Sequence, residues 1–554
     1  MFYAGVAVLF VALFLFRIAT GTITNDDYLH LSTAQQLVLG AVPVRDFLDP
    51  GELLFYSTSA ASQLLLGRSL LSEVLLDAAL LSAGQVLVFV LAARAARSTV
   101  VGLIAGLFPV VIVARLYSYP KTLLYAGALM LMWAYLDTGR RGLLWAIGGW
   151  IGLSFLFRHD HGAYIGATAA AMIAITHWRD RRALIRGALD IGAPLAVLVI
   201  PFFVFVQMNG GLPFYVRAML DTARGEYERT VGQVPPFNVV WHGWLPLPAP
   251  AQPGQADPNA TAWLYRVTVA LPPLTAVLLV WDWLRRRRGA AVAWAGMNQE
   301  SAKLICAAVL ALLMHTYLLR ARSDSAVADV SALTGVLGAW VLARSLSAGW
   351  HGARRLIGSE PRQSWFGASA GVAGALAMIA VCVVTARALH DTPGGDVTST
   401  FVKRVSSGYN PLPEQIEKLS ALHAPYDYQG ARYLFACTAP TDRVLISSGY
   451  RPELYYAAGR GFAAGRLYYL NSLAPSPEFK KWSMARLHAE RVPIALVNPD
   501  DDDLGDSFPA LKAYLQEHYR PAGRVEFWGS HFDVLVDPSI PPSRTWDDGL
   551  PCYR

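Results

Sequence analysis

The sequence predicts an α-helical polytopic membrane protein with a soluble α/β domain at its C-terminal end. Of its 554 residues, 54% are hydrophobic and 16% are charged, and the mean hydropathy is +0.34. A soluble globular chain of this length rarely has such a composition. Two further observations support this class: the composition changes after residue 389, and arginines recur between the apolar stretches.

The apolar stretches lie in residues 1–389. About eleven of them are long enough to cross the hydrocarbon core of a bilayer. The first lacks a basic n-region and a small-residue cleavage site, so we expect a retained anchor and not a removed signal peptide. Two longer outer segments, 19–69 and 208–262, interrupt the series. The stretches are 1–18, 70–93, 99–116, 121–137, 142–157, 162–177, 187–207, 263–284, 301–320, 326–347 and 366–388.

Residues 390–554 have short alternating runs between Pro-rich and acidic patches, for example at 443–446 and 492–497. This pattern is typical of an α/β domain. Cys437 and Cys552 lie in it, and we expect them to pair if the domain is exported. Cys306 and Cys382 lie inside apolar stretches and are expected to be inert. No CxxC or His-rich spacing predicts a zinc site.

The short loops give the orientation, because Lys and Arg accumulate on the cytoplasmic side. One set of alternating loops carries Arg94 and Arg97, Arg140 and Arg141, the cluster 179–186, Arg285 to Arg288, and Arg354, Arg355 and Arg362. We therefore place the opposite loops and residues 390–554 outside the cytoplasm. The sequence predicts a multi-pass protein of the bacterial inner membrane. Since topology accounts for the excess positive charge, we expect no nucleic-acid partner.

The outer loops hold isolated charges next to predicted membrane helices. They are Asp26 and Asp27, Arg115 and Lys121, Arg158 and Asp160 with His161, and Arg322 with Asp324. Intramembrane and juxtamembrane charges are costly, so we expect them to line a shared cavity. The alternative is that each charge reaches the lipid headgroups from a helix end.

The segment after the first apolar stretch begins with Asn25-Asp26-Asp27-Tyr28. Apolar residues then recur at helical spacing up to Gly40. In the first turn of this helix, free backbone N–H groups and the helix dipole favour a negative carboxylate. Such a carboxylate could act as a general base or hold a cation. The alternative is that both aspartates only cap the helix.

This segment, with Gly40 and the run Pro43–Phe47, resembles the first periplasmic loop of the GT-C membrane glycosyltransferases. The superfamily includes protein mannosyltransferases and aminoarabinose transferases. The runs Phe157–Gly162, Arg320–Asp324 and Pro452–Arg460 are similar to charged outer-loop motifs and to a C-terminal segment of its members. The resemblance extends over most of the chain.

The resemblance implies a hexosyl- or pentosyltransferase whose partners are the bilayer, a polyprenyl-phosphate-sugar donor and an extracytoplasmic acceptor, which is a glycan, a lipid or a protein. It implies inversion of the anomeric centre. Asp26 matches the catalytic base of the family, and Asp27 is a support or an alternate base. Asp46 matches a loop aspartate, which either fixes the loop or contacts substrate.

One departure from the family concerns the next outer loop, 115–121, which holds cations and tyrosines where many members have a second acid. A divalent metal is therefore disfavoured, although it stays an alternative, and the resemblance implies no other cofactor. Lys121, Arg158 and Arg322 are candidates to stabilise the leaving phosphate, with Arg115 as a weaker one. Tyr117, Asp160, His161 and Asp324 complete the predicted substrate-binding set. Asp160 either orients Arg158 or contacts acceptor hydroxyls.

Residues 212–229 could form an amphipathic helix on the outer leaflet. It would be either a lid over the donor cavity or an interfacial anchor. Two other functions stay open for the whole chain. A flippase or transporter of lipid-linked saccharides would need charged or broken helices near mid-membrane, and a non-catalytic scaffold would need only a partner for the C-terminal domain.

Overall fold

The computed structural model describes residues 2–49, 51–113, 116, 119–231, 258–289, 299–320, 326–357, 365–421, 428–447, 451–469, 476–500, 503–527 and 529–554. Its first part is helical. The helices are α1 (Phe2–Thr20), α2 (Asn25–Val38), α3 (Leu53–Leu66), α4 (Leu70–Ala96), α5 (Thr99–Ile112), α6 (Tyr119–Thr138), α7 (Arg141–Phe157), α8 (His159–His177), α9 (Arg181–Asn209), α10 (Leu212–Val231), α11 (Pro258–Gly289), α12 (Gln299–His315), α13 (Tyr317–Arg320), α14 (Ala326–Val330), α15 (Thr334–Ile357) and α16 (Trp365–His390).

Among the described residues, six helical segments are long and apolar enough to cross a membrane. They are Tyr3–Thr20, Leu70–Ala96, Arg181–Asn209, Ala260–Leu284, Gln299–Leu319 and Gly367–His390. Shorter apolar helices are Leu53–Leu66, Thr99–Ile112 and Arg141–Phe157. The predicted class, a multi-helical membrane protein, is confirmed.

One predicted stretch is wrong in detail, because 326–347 is not a single helix. It is divided into α14 and α15. At the break, Ser331 Oγ donates a 3.0 Å hydrogen bond to the carbonyl of Ala328. Such a side-chain bond to the backbone competes with helix continuation. As a result, Asp329 lies on a short separate helix instead of inside a membrane span.

The helices α4, α6, α7, α8, α12 and α15 enclose the main hydrophobic core, which includes Leu129, Met132 and Leu337. Close helix contact depends on small residues at the crossing points. At Gly102 of α5, an added Cβ would lie 2.4 Å from Cα of Ala93 on α4. A larger residue there would force the two helices apart.

The described helices of the C-terminal part are α17 (Pro393–Ser406), α18 (Leu412–Ala421), α19 (Gln429–Cys437), α20 (Pro452–Ala458), α21 (Pro477–Ala489), α22 (Asp503–Ser507) and α23 (Pro509–His518). Its strands are β1 (Arg443–Ser447), β2 (Gly461–Phe462), β3 (Ile494–Val497), β4 (Arg520–Phe527), β5 (Ser530–Val536), β6 (Arg544–Thr545) and β7 (Pro551–Cys552). The main sheet has the order β2-β1-β3-β5-β4. β1 is parallel to β2 and β3, whereas β5 is antiparallel to β3 and β4.

Helices cover both faces of this sheet. Val444 and Ile446 of β1 pack with α19 and α20, and Leu445 between them packs on the opposite side with Leu487 and Leu511. Successive side chains of a strand point to opposite faces, so β1 contributes to both layers. The α/β prediction for this part is therefore confirmed.

The first outer loop packs directly against the C-terminal part. Ala41 and Phe47 lie in the same hydrophobic core as α19 and α20. On α2, Ser32 Oγ donates a 2.7 Å hydrogen bond to the carbonyl of Pro452, and Gln35 donates to the carbonyls of Tyr455 and Arg460. The sheet thus holds α2 in a defined position at the end of the helical part.

Cys437 and Cys552 form a disulfide across 115 residues, which confirms the expected pairing. Replacing both by serine is expected to lower the free energy of unfolding of the C-terminal part by about 2–5 kcal/mol, because the bond restricts the unfolded chain. Thermal unfolding of the purified protein measures this. Cys382→Ala is the control, since Cys382 is unpaired and should cost less than about 1 kcal/mol. Equal decreases in the free energy of unfolding of the two variants would contradict the prediction.

Candidate functional site

A cavity of about 230 Å³ lies where the ends of α6, α8, α12 and α14 meet α13. Its described lining is mainly charged and aromatic. The lining residues are Lys121, Tyr125, Arg158, Asp160, His161, Tyr164, Met314, Tyr317, Asp329 and Val330. Four of the residues selected from sequence are thereby brought together: Lys121, Arg158, Asp160 and His161.

Arg158 lies between α7 and α8, and its side chain is held by Asp160. Nε donates to Oδ1 at 2.8 Å, and Nη2 donates to Oδ2 at 2.6 Å. The guanidinium lies 5.5 Å from the centre of the Tyr317 ring. A planar guanidinium held in this way can also bind two oxygens of a phosphate.

Lys121 supplies the second cation from the first turn of α6. Its Nζ lies 2.7 Å from Oδ1 of Asp329 and 5.6 Å from the centre of the Tyr317 ring. Sequence reasoning did not select Asp329. The signal was present, because a lone carboxylate inside an apolar stretch marks a functional site by default. That signal alone does not identify the partner of Asp329, because Lys121 is distant in sequence.

His161 is buried at the back of the cavity. Its Nδ1 is 2.7 Å from the Tyr125 hydroxyl and 3.4 Å from Oδ1 of Asp160. These contacts fix the ring, and through Asp160 they connect it to Arg158. On the other side, the Thr316 hydroxyl donates a 2.9 Å hydrogen bond to the Tyr164 hydroxyl.

Glu52, at the N-terminus of α3, is a further acid that sequence reasoning missed. Its Oε1 lies 4.0 Å from Nε of Arg158, its Oε2 lies 3.9 Å from Nδ1 of His30, and the Tyr56 hydroxyl donates to Oε2 at 3.2 Å. Burial raises the pKa of Glu52, while Arg158 and Lys121 oppose that rise. Burial, assisted by Lys121 and Arg158, holds the pKa of His30 well below its usual value. The imidazole is therefore neutral, and the ion pair of Glu52 is with Arg158.

The two aspartates of the first motif differ in their surroundings. Oδ2 of Asp27 accepts from the Thr24 backbone N–H at 2.6 Å and from the Thr24 hydroxyl at 2.8 Å, which completes a capping box. Asp27 is buried, whereas Asp26 is half-buried. Asp26 and His30 are four residues apart on α2 and so share one helix face. Neither aspartate belongs to the described cavity lining.

Asp46 is engaged in its own loop. Its Oδ2 accepts from the backbone N–H of Val42 at 2.7 Å, and its Oδ1 accepts from Nε of Arg45 at 2.9 Å. Arg486 of α21 adds a 3.3 Å contact to Oδ1. Asp46 thus joins the loop to the C-terminal part and is not among the described lining residues. The predicted residues Arg115, Tyr117, Arg322 and Asp324 lie outside the described residues.

The predicted amphipathic helix 212–229 is present as α10. The Tyr215 hydroxyl lies 2.9 Å from Nε2 of His159. At the opposite side, Phe214 stacks near Phe479 of α21, and Arg217 pairs with Glu478. The helix therefore connects the start of α8, which carries the cavity charges, to the C-terminal part.

Asp49 fixes the position of Glu52, because its Oδ1 accepts from the backbone N–H groups of Gly51 at 2.9 Å and Glu52 at 2.8 Å. Burial raises its pKa from 3.8 to about 6. The folded state then binds this proton more tightly than the unfolded state. Asp49 therefore lowers stability as the pH rises from about 4 to about 6, and the full cost is present above this range.

Asp49→Asn keeps one acceptor oxygen and removes this charge. We expect the variant to match the wild type in thermal stability near pH 4 and to exceed it above pH 7, by up to about 3 kcal/mol. Thermal unfolding across this pH range measures the difference. A difference between the two proteins that does not change with pH would contradict the assignment.

Among the described residues, no group of three or more His, Cys, Asp or Glu side chains is arranged to hold a metal ion. The charges of the cavity occur instead as acid–cation pairs, Arg158 with Asp160 and Lys121 with Asp329. The cavity can bind an anion if one of these ion pairs separates and its cation contacts the anion instead.

No protein-family model matches the chain, and no curated protein matches it in sequence. Solved structures of similar shape include ArnT from Cupriavidus metallidurans in the apo state, with 14% identity and a TM-score of 0.48 over 98% of this chain and 100% of that chain. ArnT from Cupriavidus metallidurans bound to undecaprenyl phosphate is 13% identical, with a TM-score of 0.47 over 98% of this chain and 99% of that chain. A third structure is the archaeal oligosaccharyltransferase AglB from Archaeoglobus fulgidus in complex with an inhibitory peptide and a dolichol-phosphate. It is 12% identical, with a TM-score of 0.45 over 97% of this chain and 75% of that chain. With TM-scores in this range, these similarities carry no conclusion about activity or substrate.

Proposed function

We propose that the chain is a membrane glycosyltransferase of the GT-C type, which moves a hexosyl or pentosyl group from a polyprenyl-phosphate-linked donor to an extracytoplasmic acceptor. The observation that carries the proposal is the cavity in which Lys121 of α6 and Arg158, from the junction of α7 and α8, both lie near the Tyr317 ring. A departing phosphate needs such donors already in place. The motif around Asp26 supports the same class.

In the proposed reaction, Asp26 accepts the proton of an acceptor hydroxyl. The acceptor oxygen attacks the anomeric carbon from the side opposite the phosphate, and the bond between that carbon and the phosphate oxygen breaks. Its electron pair stays on the polyprenyl phosphate, whose increased negative charge Lys121 and Arg158 stabilise. Attack from the opposite side inverts the anomeric centre.

The choice of Asp26 over Asp27 rests on the capping role of Asp27 and on the helix face of Asp26. The capping box uses Oδ2 of Asp27 twice, and a base that is already hydrogen-bonded in this way is a poorer proton acceptor. Asp26 shares a helix face with His30, which lies 3.9 Å from Glu52 and so near Arg158. We infer that the acceptor lies between this face of α2 and the cavity.

The proposed location is the bacterial inner membrane, with the sheet-containing part outside the cytoplasm. The disulfide between Cys437 and Cys552 supports this, because disulfides persist in oxidising compartments. The distribution of arginines in the short loops supports the same orientation. We also interpret α10 as a lid, since it contacts both the start of α8 and α21.

The test is a transfer assay with the purified protein in liposomes, using polyprenyl-phosphate donors that carry different labelled hexoses and pentoses. The expected result is loss of the label from the lipid and its appearance on an acceptor, with no transfer from nucleotide sugars. The control is the same preparation with Lys121→Gln. If no donor is cleaved while intact labelled lipid crosses the bilayer, the chain is a transporter and the proposal is wrong.

A further inference from the structure

The charge balance around the cavity is unusual for a phosphate site. Among the described residues, the cations Lys121 and Arg158 face the carboxylates of Asp160 and Asp329 in the lining, and Glu52 adds a third carboxylate next to Arg158. Among the residues that the structure describes here, three acids therefore face two cations. A phosphate that binds Lys121 and Arg158 must compete with these carboxylates.

Glu52 differs from Asp160 and Asp329 in its distance from the nearest cation. Asp160 and Asp329 are in direct contact with their cations, so they can be displaced by a phosphate oxygen. Glu52 stays 4.0 Å from Arg158. The Tyr56 hydroxyl, which donates to its carboxylate, and the bond from its own backbone N–H to Asp49 Oδ1 hold it in place. Its charge therefore remains close to Arg158 when Asp160 releases the guanidinium.

The reaction changes the charge of the phosphate. A lipid-linked sugar phosphate is a diester with one negative charge, whereas the released lipid phosphate is a monoester with a charge of about −1.5 to −2 near neutral pH. A fixed carboxylate near the phosphate repels both, and the repulsion grows in proportion to the charge. Glu52 therefore disfavours the product more than the donor.

We propose that the carboxylate of Glu52, next to Arg158, repels the lipid monophosphate product, weakens its binding and thereby speeds its release. This inference rests on the proposed function. It extends the proposed function by assigning the step after sugar transfer, release of the lipid phosphate, to a particular side chain.

The test compares the wild type with Glu52→Gln, which keeps the size of the side chain and an acceptor for Tyr56. Binding of polyprenyl phosphate is measured directly in detergent, with no donor present. The expected result is product binding that is roughly 10-fold tighter in the variant, from the loss of one nearby charge. The KM for the donor should fall by a smaller factor. Under steady-state conditions kcat should decrease, whereas the rate of a single turnover stays near that of the wild type.

Glu52→Asp is the conservative control and should retain the product affinity of the wild type, because it retains the charge. If Glu52→Gln does not fold, Glu52→Ala removes the same charge and serves as the second variant. A merely structural role would weaken donor and product binding together, and that result would overturn the inference.

The two proposals fail in different ways. If the wild type transfers sugar but the neutral variants bind polyprenyl phosphate no more tightly than it does, the role of Glu52 is wrong and the proposed function stands. If the wild type neither transfers sugar nor binds polyprenyl phosphate, both the proposed function and the role of Glu52 are wrong.

Discussion

Asp26→Asn is expected to lower the rate of sugar transfer by about 10²–10⁴-fold, the usual contribution of a general base. Asparagine has nearly the same shape as aspartate but cannot take the acceptor proton. Asp26 is half-buried at the first turn of α2, so the substitution should leave the fold intact. Single-turnover transfer from a polyprenyl-phosphate sugar measures the effect, and thermal unfolding verifies that the variant is folded.

Asp27→Asn separates the roles of the two neighbours. Asp27 closes the capping box with Thr24, so its loss should lower stability by about 1 kcal/mol. We expect it to lower transfer much less than Asp26→Asn does. Equal losses of activity in the two variants would contradict the assignment of the base to Asp26.

The second large effect is expected for Arg158→Ala, with a loss of transfer of about 10²–10³-fold, typical for removal of a preset donor to a developing anion. The substitution also leaves Asp160 without its bidentate partner. Arg158→Lys keeps the charge but loses the planar fork, so we expect its activity to lie between those of the wild type and Arg158→Ala. Initial rates at saturating donor measure both.

Arg141→Ala is the matched control for this series. Arg141 begins α7 and makes the same kind of bidentate pair with Asp190, at 2.5 and 2.7 Å, but it does not belong to the described cavity lining. Its loss should leave transfer within about 2-fold of the wild type, because neither partner of this pair belongs to the described cavity lining. If Arg158→Ala behaves like this control, the cavity is not the phosphate site.

Hydropathy and helical periodicity were sufficient to predict the class, because a bilayer demands long apolar helices whatever their packing. They failed at 326–347, because hydropathy does not detect the break between α14 and α15, where the Ser331 side chain donates a hydrogen bond to the backbone. The same local signals predicted the helix at 25–38 and the amphipathic helix α10. Strand alternation predicted β1 and β3 but could not give their order in the sheet.

The candidate site was predictable only in part. Lys121, Arg158, Asp160 and His161 were found because charges next to apolar helices are rare. Asp329 and Glu52 were not found, because their partners, Lys121 and Arg158, are distant in sequence. No local sequence pattern predicts which distant segments will be in contact. The motif predicted Asp26 as the base, with Asp27 as a support or an alternate base, and the hydrogen bonds that Asp27 accepts from Thr24 support this order.

The central claim is that the cavity flanked by Lys121 and Arg158 binds the phosphate of a lipid-linked sugar. The most direct measurement is an experimental structure of the protein in lipid with bound polyprenyl phosphate. The account predicts phosphate oxygens within hydrogen-bond distance of Lys121 Nζ and the Arg158 guanidinium, with Asp329 or Asp160 displaced from its cation. A phosphate bound elsewhere, with both ion pairs intact, would contradict it.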